Sequence, residues 1–297
     1  MRTEQISPRY VELDAWSSSD MIEAMYEGQL AAAAAVRGAL PYLTAAVDDA
    51  VTALQRGGRI IYAGAGTSGR IGVQDGTELT PTYNWPTDRL VFAMAGGYGA
   101  LTQSVEGAED DEQAGVRVAN EMKVGPDDVV IGIAASGATP YTIGVLRAAG
   151  EAGAITIAVA NNRGAPLFKV ARHKILLETG AETIAGSTRM KAGTAQKIVL
   201  NLFSTAVMVK LGRVYRGLMV HMQASNTKLR RRAEAMVSHI VGCPEADSAR
   251  FVEEAGGDVK VAALMGFGLS RDEAADVLAR CAGNLRTAIE DSQNGRR

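Results

Sequence analysis

The stretch IIYAGAGTSGR, residues 60–70, decides the fold: a short apolar run ends in a loop of Gly, Ser and Thr. The pattern returns in VVIGIAASGATP, residues 129–140, and in KILLETGAETIAGSTRMKAGT, residues 174–194. In an α/β sheet such loops lie at the carboxyl ends of the strands, where backbone N–H groups, hydroxyls and helix N-termini converge on an anion. Three hydroxyl-rich loops after three separate strands point to a phosphorylated small molecule as ligand.

Outward from these runs the chain alternates. Strands are expected at 59–63, 90–94, 129–134, 155–160 and 174–178, with helices over 100–123 and 139–152 between them. Such alternation predicts an α/β fold with a mostly parallel five-stranded sheet covered on both faces. Ahead of it, Ser17 to Asp20 offer caps for a helix through Glu27, and residues 31–56 keep helical spacing until Gly57 and Gly58 stop it. Beyond Gly193 the pattern is helical to about Val241. From Cys243 it breaks into three short helical pieces, PEADSARFVEEAGG, DVKVAALMGFG and LSRDEAADVLARCAGNLRTAIED. Three parts are expected: an N-terminal helical segment (1–56), a sugar-phosphate-binding domain (57–241) and a small helical module (242–297), with the last Gly-Arg-Arg frayed.

Other readings of these features are weaker. Gly64, Gly66 and Gly69 satisfy G-x-G-x-x-G, but a dinucleotide site also wants an acid about twenty residues on, at the end of the next strand. Glu78 lies too close, Asp88 precedes the next apolar run, and no G-x-x-x-x-G-K-[ST] occurs. No cofactor is therefore expected. His173 and His239 have no spaced partners, and Cys243 and Cys281 form no metal-ligand pattern, so no metal is expected either. A net charge of −2 recruits neither nucleic acid nor membrane, and the basic run Lys228 to Arg232 reads as a solvated helix face. The N-terminus lacks a signal-peptide pattern, and no long uninterrupted apolar stretch suggests a membrane span. A cytoplasmic enzyme is the expectation.

The strings GAGTSGRIGVQDGTEL, SVEGAEDDE, IGIAASGATPY, ETIAGSTRMKAGTAQKIVLN and LMVHMQASNTKLRRRA resemble the signature segments of the N-acetylmuramic acid 6-phosphate etherases. These belong to the sugar isomerase (SIS) domain superfamily, and the resemblance runs from TEQISPR to the terminal helices. It implies an SIS-type three-layer sandwich with a ubiquitin-associated-like terminal module, and a homodimer. The implied activity is that of a carbon–oxygen lyase in cell-wall amino-sugar recycling or catabolism, which removes the C3 lactyl ether to give N-acetylglucosamine 6-phosphate and D-lactate. In the open-chain sugar the C2 proton is acidic and the C3 ether is a β-leaving group, so elimination needs a base and an acid, and water then adds back.

The resemblance assigns the acid to Glu78 and the base to Glu106. Glu106 sits among Val105, Gly107 and Ala108, a setting that permits partial burial. Ser136, Gly137 and Thr139 are the expected phosphate contacts, Thr67 and Ser68 serve the sugar hydroxyls, and Glu182, Ser187, Thr188 and Lys191 come from the third loop. The chain departs from the family pattern in three places. Leu79-Thr80-Pro81-Thr82 replaces Cys-Pro-Pro-Thr, Asp75-Gly76-Thr77 replaces Asp-Ala-Ser, and His221 stands where the family commonly has Asp. An SIS isomerase, or a non-catalytic sensor akin to the glucokinase regulatory protein, is the alternative. Retention of both Glu78 and Glu106 favours chemistry.

Overall fold

The computed structural model describes residues 1–222, 224 and 226–294. The family-like segment LMVHMQASNTKLRRRA thus loses Gln223 and Ser225 from the description, and the expected frayed terminus, residues 295–297, lies outside it. The chain divides into two compact units, Met1–Thr77 with Pro86–Ser204 and Glu78–Trp85 with Thr205–Arg297.

The first unit holds the sheet. Strands β1 (Ile60–Gly64), β2 (Leu90–Met94), β3 (Val129–Ile133), β4 (Ile155–Ala160) and β5 (His173–Leu176) run parallel in the order β2-β1-β3-β4-β5. Every residue of β1, β3 and β4 is buried, which is why these strands read as continuous apolar runs rather than alternating ones. The order reverses between β1 and β3. In open α/β sheets, ligands sit in the crevice outside the carboxyl ends of the strands at such a switch point.

Helices in chain order are α1 (Ser18–Ala35), α2 (Leu40–Gln55), α3 (Gly66–Thr77), α4 (Leu79–Tyr83), α5 (Glu112–Glu121), α6 (Pro140–Glu151) and α7 (Lys191–Lys210). After them come α8 (Thr227–Val241), α9 (Glu245–Glu254), α10 (Val259–Gly266), α11 (Arg271–Arg280) and α12 (Leu285–Asn294). Ser17 caps α1 as expected, its side chain accepting from the Asp20 N–H. The helix then runs on to Ala35, and a 3-10 turn at Val36–Ala39 leads into α2. The joined run Ser18–Gln55 is long and apolar enough to cross a bilayer by length and composition, with a mean hydropathy of 1.4 in its most apolar window. Its α2 half buries Leu43, Ala46, Val47, Ala50, Ala53 and Leu54.

The glycines of the opening motif serve helix-on-sheet contact. A Cβ at Gly69 would lie 2.4 Å from the Met94 sulfur, and one at Gly72 would lie 2.8 Å from Ile133 Cδ1. At Gly76 a Cβ would meet Phe92 Cε1 at 2.6 Å and Tyr62 Cε2 at 2.9 Å, two rings that stack with centroids 6.0 Å apart. Gly76 stands where the family has Ala, and the aromatic pair fills the space a methyl would take. Beside it the buried Asp75 accepts from the Tyr62 hydroxyl at 2.8 Å and from Asn201 Nδ2 at 2.6 Å. Gly76→Ala is expected to cost about 1–3 kcal/mol through overpacking, read as a lower melting temperature in circular dichroism.

One expected helix is shorter than the sequence implied. Residues 100–123 form a 3-10 turn at Tyr98–Leu101, a loop, and α5 only from Glu112. Gly107 has a φ of +71°, and the Asp111 side chain caps α5 by accepting from the Ala114 N–H at 2.8 Å. These residues end the loop and start the helix, and the freed loop carries Glu106. A Cβ at Gly115 would lie 2.1 Å from the Tyr141 carbonyl oxygen, and one at Gly144 equally close to that of Glu112, so α5 and α6 touch backbone to backbone.

The second unit has its own core, with Val237, Val259, Ala262, Ala263, Leu264 and Leu285 among its buried residues. The sequence suggests three helical pieces after Cys243, but four helices form among the described residues. Ala282 (φ +50°) and Gly283 (φ +72°) turn the chain between α11 and α12, and Asn284 Oδ1 accepts from the Arg286 N–H at 3.0 Å to begin α12. The Ala-Gly-Asn triplet carried that signal.

His221 belongs to this unit. Burial, reinforced by the Lys260 and Arg213 cations, pushes its pKa down to about 3. Lys260 is pushed down to about 8, mainly by burial, against the opposing pull of Asp258. Both cations bind backbone carbonyls: Lys260 Nζ donates to Gly283 O at 2.5 Å, and Arg213 Nη1 donates to Tyr83 O and Asn84 O at 2.7 Å each. The imidazole is therefore neutral at pH 7, beside cations that a carboxylate would pair with. Between pH 3 and 6.5 the unfolded chain holds a proton on His221 that the folded chain lacks, so stability falls as pH drops through that window. For Lys260 the same linkage makes stability rise from about pH 8 towards the ordinary lysine value. His221→Asp is expected to add about 1–2 kcal/mol at pH 7 and to flatten the rise above pH 8, as denaturant titrations across pH would show.

Candidate active site

The three hydroxyl-bearing loops all leave the carboxyl ends of strands in the first unit. After β1, Gly66 takes a φ of +51° and leads into α3, with Ser68 buried and Thr67 half-buried in its first turn. After β3, Ser136 Oγ accepts from the Ala138 N–H at 3.1 Å, and Gly137 (φ +66°) fits where a Cβ would lie 2.3 Å from that of Ala165. Thr139 is the N-cap of α6 and makes no side-chain cap bond, so its hydroxyl is available to a ligand at the helix N-terminus, as Pro140 opens the first turn.

The third loop is brought to the first by α7. A Cβ at Gly193 would lie 3.2 Å from Ile71 Cδ1, 3.3 Å from the Thr188 carbonyl oxygen and 3.7 Å from Thr67 Cγ2. Ser187 and Thr188 are half-buried there, while Arg189 is exposed. A polar network ties the β3 and β4 loops together: the Asn161 N–H and Asn162 Nδ2 both donate to the Ala135 carbonyl at 3.0 Å, and Gln196 Nε2 donates to Asn161 Oδ1 at 3.0 Å. Asn162 also reaches the chain start, accepting from the Arg2 N–H at 2.8 Å and donating to Thr3 Oγ1 at 3.0 Å. The Thr3 carbonyl in turn accepts from the Gly186 N–H at 3.0 Å. The N-terminal segment thereby holds the loop that carries Ser187 and Thr188.

Glu182 is 0% exposed, and both its carboxylate oxygens are occupied: they accept from the Lys191 N–H at 2.9 Å and the Ala192 N–H at 2.8 Å. It anchors the N-terminus of α7, where an anion complements the helix dipole. Lys191 is buried as well, with its stem against α1, where a Cβ at Gly28 would lie 3.4 Å from Lys191 Cδ. Burial lowers its pKa, opposed by the nearby Glu182 charge. The structure thus surrounds Glu182 and Lys191 with protein groups, whereas Thr67, Ser136, Thr139, Ser187 and Thr188 remain accessible.

Glu106 lines a cleft of ≈ 230 Å³ together with Ala65, Gly66, Arg70, Ala95, Ala100, Ser104, Val105, Gly107, Ala108 and Glu109. Its carboxylate is exposed in that cleft rather than half-buried. The cleft reaches the β1 loop through Ala65 and Gly66. The Glu109 carbonyl accepts from the Tyr141 N–H at 3.0 Å, which seats the Glu106 loop against the start of α6. Arg70 and Glu109 also line the cleft, although the sequence alone reads Arg70 as a residue that could be solvated and gives Glu109 no role. Arg70 falls one turn along α3 from Gly66, and that spacing alone could have flagged it. Glu78, also exposed, follows α3 directly in the chain and opens the segment assigned to the second unit. Within that segment Thr80 Oγ1 donates to Trp85 O at 3.0 Å and Arg213 lies over the Trp85 ring. Among the described residues no group of three or more His, Cys, Asp or Glu is placed to hold a metal ion.

Comparison with known proteins matches two family models: the glucokinase regulatory protein N-terminal SIS domain over residues 42–150, and the SIS domain over residues 112–206. The N-acetylmuramic acid 6-phosphate etherase of Deinococcus radiodurans is 50% identical over 294 residues, covering 98% of this chain and 96% of that protein. The etherase of Rubrobacter xylanophilus is 43% identical over 293 residues, covering 98% and 96%. Among solved structures, a phosphoheptose isomerase from Francisella tularensis is 13% identical with a TM-score of 0.48, covering 65% of this chain and all of that one. Identity of this order over almost the full length of both chains, together with the loops, the switch point and the Glu106 cleft, shows that the chain belongs to the N-acetylmuramic acid 6-phosphate etherase family.

Proposed function

We propose that Glu106 is the base and Glu78 the acid of the etherase reaction in this chain. As a member of the family the protein is a carbon–oxygen lyase, which converts N-acetylmuramic acid 6-phosphate and water to N-acetylglucosamine 6-phosphate and D-lactate. In the open-chain sugar, Glu106 takes the C2 proton, the electron pair delocalises into the C1 aldehyde, and the C3–O bond breaks. Glu78 gives its proton to the departing lactate oxygen. Water then adds at C3 and a proton returns to C2, with the two carboxyl groups in reversed roles. The observation that carries this reading is the place of Glu106 in a cleft that ends on the β1 loop, at the switch point of the sheet. The role of Glu78 rests on the sequence resemblance.

Ser136, Gly137 and Thr139 hold the phosphate at the N-terminus of α6, and Thr67, Ser68, Ser187 and Thr188 face the sugar. Glu182 and Lys191 keep the third loop in place. The test separates acid from base. In D2O, Glu78→Gln is expected to release little D-lactate yet still exchange the C2 proton for deuterium, whereas Glu106→Gln loses both. Exchange that survives in Glu106→Gln overturns the assignment of the base.

The proposal extends to assembly and compartment. Ile22, Tyr26 and Leu30 form an exposed apolar stripe one helical turn apart on α1, and Leu202 and Val209 are exposed on α7. A homodimer that covers such faces is the simplest use for them. Cys243 and Cys281 are both free thiols, in keeping with a reducing cytoplasm. Light scattering of the Leu30→Glu variant checks the first point: a dimer that persists unchanged removes α1 from the interface.

A further inference from the structure

We infer that Arg70 reads the carboxylate of the lactyl group and so makes this site specific for the ether over its sugar product. The inference rests on the reading of the Glu106 cleft as the reaction site. Three features of that cleft carry it.

The first is size. At ≈ 230 Å³ the cleft is smaller than the roughly 300–1,000 Å³ that encloses a whole small ligand. It suits one substituent of the sugar beside the reacting C2 and C3, and the sugar phosphate itself belongs to the hydroxyl-bearing loops. The second is wall chemistry. Ala65, Ala95, Ala100, Val105 and Ala108 line it with short apolar groups, which accommodate the lactyl methyl and leave no room for a large side group.

The third is charge. Glu106 and Glu109 both line the cleft, so a substrate that brings a carboxylate next to them meets like charges unless a cation is in place. Arg70 is the cation on that wall. Its Nε donates to the Ala100 carbonyl at 3.0 Å, which fixes the guanidinium plane and leaves the Nη edge, the fork that matches a carboxylate with two parallel hydrogen bonds. Among the described residues Arg70 forms no ion pair that would satisfy that edge. N-acetylglucosamine 6-phosphate lacks this carboxylate, which leaves with D-lactate, so an arginine here favours binding of the ether over the sugar product.

The experiment compares wild type, Arg70→Met and Arg70→Lys. Equilibrium binding of N-acetylmuramic acid 6-phosphate is measured in a Glu106→Gln background, so that no turnover occurs, beside binding of N-acetylglucosamine 6-phosphate. Loss of a bidentate charged contact is expected to weaken the ether by roughly 10- to 100-fold in Arg70→Met, with product affinity unchanged within about twofold. Arg70→Lys, which keeps the charge but not the fork, falls between and also serves if the Met variant folds poorly. A substrate analogue with a carboxamide in place of the lactyl carboxylate is expected to bind wild type and Arg70→Met equally. Equal weakening of ether and product would assign Arg70 to the sugar phosphate and overturn the inference, as would unchanged ether binding. A single Glu106→Gln variant that keeps wild-type turnover would instead overturn the reading of the cleft, which the Arg70 comparison does not test.

Discussion

Glu106→Gln is expected to lower kcat for D-lactate release by about 10²–10⁴-fold, the usual contribution of a positioned general base. Gln keeps the size of the side chain and one acceptor but cannot take a proton, so the loss falls on the chemical step. KM is expected to change little, because the loops proposed to hold the sugar phosphate lie outside the substitution. The loop around Glu106 is held by the Asp111 cap, the Gly107 turn and the Glu109 to Tyr141 bond rather than by the carboxylate itself. The exposed side chain makes no contribution to the core, so the melting temperature is expected to stay within about a degree of wild type, the behaviour of surface substitutions away from special features. A variant that loses activity together with its fold would show that the carboxylate is structural.

Glu182→Ala is expected to act the other way, on stability first. Its carboxylate is the buried anchor of α7, bonded to two backbone N–H groups. Removal leaves the Lys191 and Ala192 donors unsatisfied in a dry environment and takes an anion from the positive end of a 20-residue helix. Loss of the cap and of charge-assisted hydrogen bonds together is expected to cost about 3 kcal/mol, which corresponds to a fall in melting temperature of roughly 6–12 °C in a domain of this size. Glu182→Gln, which retains one acceptor, is expected to lose about half as much. If Glu182 instead contacted substrate, the Gln variant would show a raised KM at an unchanged melting temperature. The buried Lys191 offers a further readout, since removal of the neighbouring carboxylate leaves only burial acting on its amine and lowers its pKa further.

Legibility differed from element to element. The five strands are readable because parallel strands buried on both faces need uninterrupted apolar runs, and their sequence limits agree with the observed ones to within two residues. The expected helix over 100–123 is longer than the observed one, because Leu101, Val105 and Ala108 keep a helical apolar spacing across a loop whose end is set by two local devices, the Gly107 turn and the Asp111 cap. The break between α11 and α12 is announced only by Gly283 and Asn284, because Ala282 takes a left-handed conformation that its own identity does not announce.

In the site, the residue types and loops were visible in the sequence, and their company was not. Thr67, Ser136, Thr139, Ser187 and Thr188 follow strands that any parallel sheet would align, so composition and order alone place them at one edge. Glu182 looks like an accessible acid in a polar loop, yet the path of α7 turns it inward. Arg70 looks like one more solvated arginine, yet the Ala100 carbonyl fixes it beside Glu106.

The sequence by itself determined the α/β class, the strand order of events along the chain and the family, because apolar periodicity and long motifs are local properties that survive without coordinates. Only the tertiary structure decided which polar groups stay accessible and which hold up a loop. That choice depends on contacts between segments far apart in the chain, such as Asn162 with Thr3 and Gly193 with Thr67, and on burial, which sets whether a carboxylate must spend its hydrogen bonds on the protein or is free for chemistry.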